Sequence, residues 1–150
     1  MLEVKNLKKS FGDFEAVKGI SFTVSKGEVL GFLGPNGAGK STTMRMITGF
    51  LPPTSGTAVI CGKDISVEPV AAKAHLGYLP ESAPSYKAMT VKDYLKFIAE
   101  VRGLADVKKA VADVIVKAKL EGVAAQTIET LSKGYRQRTA FAAAIINDPK

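Results

Sequence analysis

The sequence has a single cysteine, Cys61, and a single histidine, His75. One cysteine excludes an intrachain disulfide and fits a reducing compartment. At the end of an apolar stretch, Cys61 reads as a small buried hydrophobe. His75 has no second His, and only that one Cys, with which to share a metal of the zinc type, so it reads as a surface or strand-edge residue. No apolar run approaches the roughly 20 residues that cross a bilayer. The N-terminus Met1-Leu2-Glu3-Val4-Lys5 shows no signal-peptide pattern, so a cytosolic chain is expected. Acidic residues are the minority, 14 against 21 basic ones, for a net charge of +7. The basic residues are spread along the chain without the aromatic-interleaved patch of a nucleic-acid binder. A solvated basic surface and an anionic ligand are the simpler reading, and no nucleic-acid partner is expected. Internal repeats and low-complexity segments are also absent. The 150 residues, 46% hydrophobic, suffice for one ordinary domain with one sizeable core.

What the chain does have is Gly34-Pro35-Asn36-Gly37-Ala38-Gly39-Lys40-Ser41-Thr42, a match to G-x-x-x-x-G-K-[ST]. Glycines at these positions let the backbone turn its N–H groups inward, making a nest for the β-phosphate of a nucleotide. The loop feeds a helix N-terminus, whose partial positive charge favours the same anion. In such a loop Lys40 reaches the β- and γ-phosphates, the Ser41 hydroxyl holds Mg²⁺ and Thr42 touches the α-phosphate. The flanks fit as well. Glu28-Val29-Leu30-Gly31-Phe32-Leu33 has the nearly continuous apolar character of a strand buried in a parallel sheet. Beyond the loop, Met44, Ile47, Thr48 and Leu51 recur at helical spacing.

In chain order, residues 2–11 and Val17 to Val24 read as strands joined through a turn at Gly12-Asp13, and Ser25-Lys26-Gly27 turns into the apolar run. Phe11 beside a glycine is either core or an aromatic free to stack on a base. Pro52-Pro53-Thr54-Ser55-Gly56 stops the loop helix and starts a strand, Thr57 to Cys61, ended by Gly62. A short helix is expected over Val67 to Ala74 and a short buried strand over Leu76 to Leu79, broken by Pro80-Glu81-Ser82-Ala83-Pro84. The pattern then becomes helical. Thr90-Val91-Lys92-Asp93 forms a capping box before an apolar face of Val91, Tyr94, Leu95, Ile98 and Val101, closed by Gly103. A second helix, from about Asp106 to Lys119, is spaced to pack on the first. Ser132 in Leu131-Ser132-Lys133-Gly134-Tyr135-Arg136-Gln137 is an N-cap for a helix that puts Phe141, Ala144 and Ile145 inward.

These residues resemble the ATP-binding subunits, or nucleotide-binding domains, of ABC transporters. Gly34 to Thr42 resembles their Walker A motif and Leu131 to Gln137 their LSGGQ signature. Phe11 falls where they carry an adenine-stacking aromatic, and Glu81 falls at the Q-loop. Walker A alone indicates a P-loop NTPase; the signature makes the resemblance specific. Gly77-Tyr78-Leu79-Pro80-Glu81 is most similar to exporter-type subunits, including the gliding-motility branch. Lys133 replaces the first signature glycine, Tyr135 and Arg136 replace polar residues, and Glu81 replaces the Q-loop glutamine.

The resemblance implies an α/β P-loop NTPase fold: a RecA-like core with an N-terminal antiparallel β layer and a helical subdomain, incomplete at the C-terminus. Residues 1–81 would carry the β layer and Walker A core, and residues 82–146 the helical subdomain. It further implies binding of ATP and Mg²⁺, with Ser41 and Glu81 at the metal and Glu81 the one candidate catalytic residue. Ser132 and Gly134 would contact the nucleotide held by a second subunit. The partners would be that second copy, in a homodimer, and a transmembrane permease on the inner face of the membrane. The chain stops at Lys150, before the family's Walker B strand and switch histidine, so it is expected to bind nucleotide without hydrolysing it. A non-transport ABC ATPase or a non-hydrolysing regulatory module is the alternative.

Overall fold

The computed structural model describes residues 1–80 and 86–150; the Q-loop position Glu81 lies outside them. Two compact units are present, Met1–Leu76 with Lys150, and Gly77–Pro149.

The first unit begins with an antiparallel hairpin, β1 (Leu2–Phe11) and β2 (Phe14–Val24), turned at Gly12 and Asp13 as its sequence expects. Gly12 takes φ +57° at the first central position of the turn, a conformation that costs glycine nothing. β3 (Ser55–Ile60) and the two-residue β4 (Lys63–Asp64) complete a four-stranded antiparallel sheet in the order β2-β1-β3-β4. Between β2 and β3 runs α1 (Lys40–Ile47), and α2 (Pro69–Ala74) follows β4. One sheet face carries Val4, Leu7, Val17, Ala58 and Ile60 onto Met46 and Ile47, which fixes the C-terminal end of α1 against the sheet.

Several expectations are corrected here. Cys61 is not a strand residue: with Gly62 it forms the β3–β4 turn, both at positive φ (+49° and +80°), and it is only half-buried. The run Glu28 to Leu33 is not a strand, and Val29 and Leu33 are almost fully exposed. A strand is made by its neighbours, and the four-stranded sheet of the described residues does not include this segment. Leu76 to Leu79 is likewise outside any strand. On α1 the buried residues are Thr43, Met46 and Ile47, followed by Thr48, whereas Met44 is exposed. His75 caps the C-terminus of α2 and is half-buried.

The second unit is helical. In α3 (Val91–Val101) the Thr90 side chain accepts from the Asp93 N–H at 3.1 Å and donates to the Asp93 carboxylate at 2.7 Å, so the expected cap forms. Gly103, at φ +66°, ends the helix with its N–H on the Glu100 carbonyl. Asp106 caps α4 (Val107–Lys117) through the Lys109 N–H, and Ser132 begins α5 (Lys133–Ile145). Val91, Leu95, Val111, Val114, Leu120 and Ala142 share one core, so α3, α4 and α5 pack together. Val101 and Phe141, expected inside, are exposed; small residues, Ala140 and Ala142 to Ala144, form the inward face of α5 instead.

Candidate phosphate-binding loop and its cavity

The loop leaves the exposed segment at Gly34 and enters α1 at Lys40. Pro35 to Ala38 forms a turn, the Ala38 N–H donating to the Pro35 carbonyl at 3.2 Å, with Gly37 at φ +85°. Gly39 is the N-cap of α1 at φ +81°, and no side chain caps that end, so the first N–H groups of the helix are left for another acceptor. A β-carbon at Gly39 would run into the Ala16 carbonyl oxygen of β2, so the loop meets the sheet at a point where only glycine fits.

Lys40 is half-buried and folds back over its own loop. Its Nζ donates to the carbonyl oxygens of Gly34 at 2.6 Å and Pro35 at 2.7 Å. These two bonds leave the ammonium one donor and hold the charge over the turn. Ser41 is exposed and Thr42 half-exposed on the first turn of α1.

A cavity of about 600 Å³ opens against this loop. Gly37, Ala38 and Thr43 form its loop side, and Phe14, Ala16 and Val17 of β2 its sheet side. Phe32 also lines it, held by a tilted contact with Phe22 at 5.9 Å between ring centroids. No local pattern marks Phe32 or Ala16 as residues of the site. Phe14 was findable, because a two-residue turn makes it the cross-strand partner of Phe11. Phe11 is half-exposed rather than core, and the Lys9 ammonium lies 5.2 Å from its ring centroid.

Ser132 and Gly134 belong to the second unit. The Ser132 hydroxyl accepts from the Tyr135 N–H at 3.4 Å, and a β-carbon on Gly134 would meet nothing nearer than that hydroxyl at 4.0 Å. The first turn of α5 carries no acid. Lys133 and Arg136 are exposed there, with the Arg136 guanidinium on the Leu131 carbonyl and that of Arg138 5.4 Å from the Tyr135 ring. Positive charge at the start of a helix opposes the helix dipole unless an anion is brought to it.

Residues 17–150 match the family model described as ABC transporter, and the chain belongs to that family. It is 38% identical over 151 residues to the probable multidrug ABC transporter ATP-binding protein YbhF of Escherichia coli strain K12, covering 99% of this chain and 26% of that protein. It is 40% identical over 152 residues to the linearmycin resistance ATP-binding protein LnrL of Bacillus subtilis strain 168, covering 100% of this chain and 49% of that one. The chain therefore spans half or less of the length of these relatives. Among solved structures, an ATP binding subunit of an ABC transporter superposes with a TM-score of 0.87 at 28% identity, over 99% of this chain and 63% of that one. The fold is that of a P-loop NTPase cassette, of which the described residues form the antiparallel sheet, the loop with its helix, and the helical unit.

Proposed function

We propose that the protein is the ATP-binding subunit of an exporter, coupling MgATP binding and hydrolysis between two subunits to transport through a membrane partner. The observation that carries this reading is the loop, with Gly37 and Gly39 at positive φ, an uncapped helix start, and Lys40 held over the turn. The nest suits a phosphate, and Lys40 exchanges a carbonyl for a phosphate oxygen when nucleotide arrives.

The donor set also fits Mg²⁺. Among the described residues no group of three or more His, Cys, Asp or Glu side chains could cage a metal. Mg²⁺ shared with a nucleotide needs no such cage, because phosphate oxygens and water fill most of its shell. Ser41 supplies one hydroxyl, with Glu81 a second candidate. The ion, when bound, would neutralise charge building up on the phosphates.

On this reading Phe11 stacks on the base, and Ser132 and Gly134 meet the γ-phosphate held by the opposing subunit, so the working form is a homodimer docked on a permease. Residues 1–150 by themselves should bind nucleotide with little turnover, since orienting the attacking water needs a placed base and Glu81 is the one candidate for it. Phosphate release clearly above a Lys40→Ala control would contradict that expectation.

The transport assignment is tested by isolating the tagged protein from detergent-solubilised membranes. Recovery of an integral membrane protein in fixed proportion is expected. Recovery of soluble partners alone would favour the non-transport ATPase.

A further inference from the structure

We propose that Phe14 is a second aromatic contact for the nucleobase, an inference that rests on the nucleotide reading of the loop. Phe14 lines the cavity of about 600 Å³ whose other wall is Gly37 and Ala38 of that loop; Phe11 does not. The volume lies within the range of about 300 to 1,000 Å³ usual for small-molecule sites. One end of the space is therefore backbone of the phosphate nest. The remainder is mixed: Phe14, Ala16, Val17, Ile20 and Phe32 offer apolar surface that suits the faces of a flat heterocycle, and Asp13, Glu15, Lys18 and Thr43 set polar groups beside them.

Two further features single out Phe14. Phe14 is 65% exposed, although it borders a cavity, so covering its ring with a base removes apolar surface from water. It is also the direct cross-strand partner of Phe11, and the tight turn at Gly12 keeps both side chains on one face of the hairpin. The Lys9 ammonium already lies over the Phe11 ring, whereas Phe14 lines the cavity. Asp13 and Glu15 line the same cavity, as does Lys18. Carboxylates accept hydrogen bonds only, which matches ribose hydroxyls and the exocyclic amine of a purine.

The test is calorimetric titration of the 150-residue chain with MgATP and, separately, with magnesium tripolyphosphate, which has phosphates and no base. Phe14→Leu is expected to weaken ATP about five- to a hundredfold while tripolyphosphate affinity stays within about twofold. Phe14→Trp provides a second, independent readout, because the chain contains no tryptophan. Its indole emission is expected to shift on adding ATP and to stay unchanged with tripolyphosphate, and this decides the matter should the leucine variant fail to fold. Unchanged ATP affinity in Phe14→Leu, equal weakening of both ligands, or an indole indifferent to ATP would overturn the inference. If the unsubstituted chain bound tripolyphosphate but showed no gain from the base, the base contacts at Phe11 and Phe14 would both be wrongly assigned while the phosphate loop stood; if it bound neither, the nucleotide reading would fail first.

Discussion

Gly39 and Ala16 approach so closely that a β-carbon on the glycine would overlap the alanine's carbonyl oxygen. This contact ties the phosphate loop to β2, and it separates two glycines that look equivalent in the sequence. Gly37 has an equally positive φ, but a β-carbon there would meet open space. Gly37→Ala is therefore expected to cost only backbone strain, about 1 kcal/mol, and Gly39→Ala at least about 2 kcal/mol, because strain and overlap add. Urea denaturation followed by circular dichroism checks the order; equal costs would mean that the loop does not rest on β2.

Thr90 and Asp93 cap α3 reciprocally, at 3.1 and 2.7 Å. Thr90→Ala leaves the Asp93 N–H without its acceptor and is expected to lower stability by about 1 kcal/mol, with Thr90→Ser recovering most of the loss. A melting temperature unchanged by the alanine would show that the cap contributes nothing.

Gly134 has room for a larger side chain, so Gly134→Asp should leave the helical unit folded. In the proposed dimer the new carboxylate would face the γ-phosphate of the opposing subunit, and like charges would repel. Sedimentation in the presence of ATP should show loss of dimer formation with monomer binding intact. An equal loss of binding in the monomer would place the segment at its own subunit's nucleotide.

The sequence made legible those features whose cause is local. The turn at Gly12-Asp13, the caps at Thr90 and Ser132 and the glycine loop each depend on a few adjacent residues, and each forms where expected. The run Glu28 to Leu33 shows what a pattern leaves out: apolar residues mark a wish to be covered, while a strand also needs partners that the run itself does not name. Orientation within helices failed for a different reason. Thr43 and Thr139 are almost fully buried, Thr139 by returning its hydroxyl to the Tyr135 carbonyl at 2.9 Å, so residues that read as polar take inward positions. Met44 and Phe141 are left outside, although their size made them look like core. Phe14 at the cavity is marked only through the turn that pairs it with Phe11, not by a motif of its own.

The central claim is that Lys40 and its loop hold a nucleotide, and the most direct measurement is calorimetric titration of MgATP into the chain and into Lys40→Ala. Removing the ammonium deletes a charge-assisted contact worth about 1.5 to 3 kcal/mol, so affinity should fall roughly ten- to a hundredfold. In the folded variant, an ATP affinity equal to that of the unsubstituted chain would contradict the account.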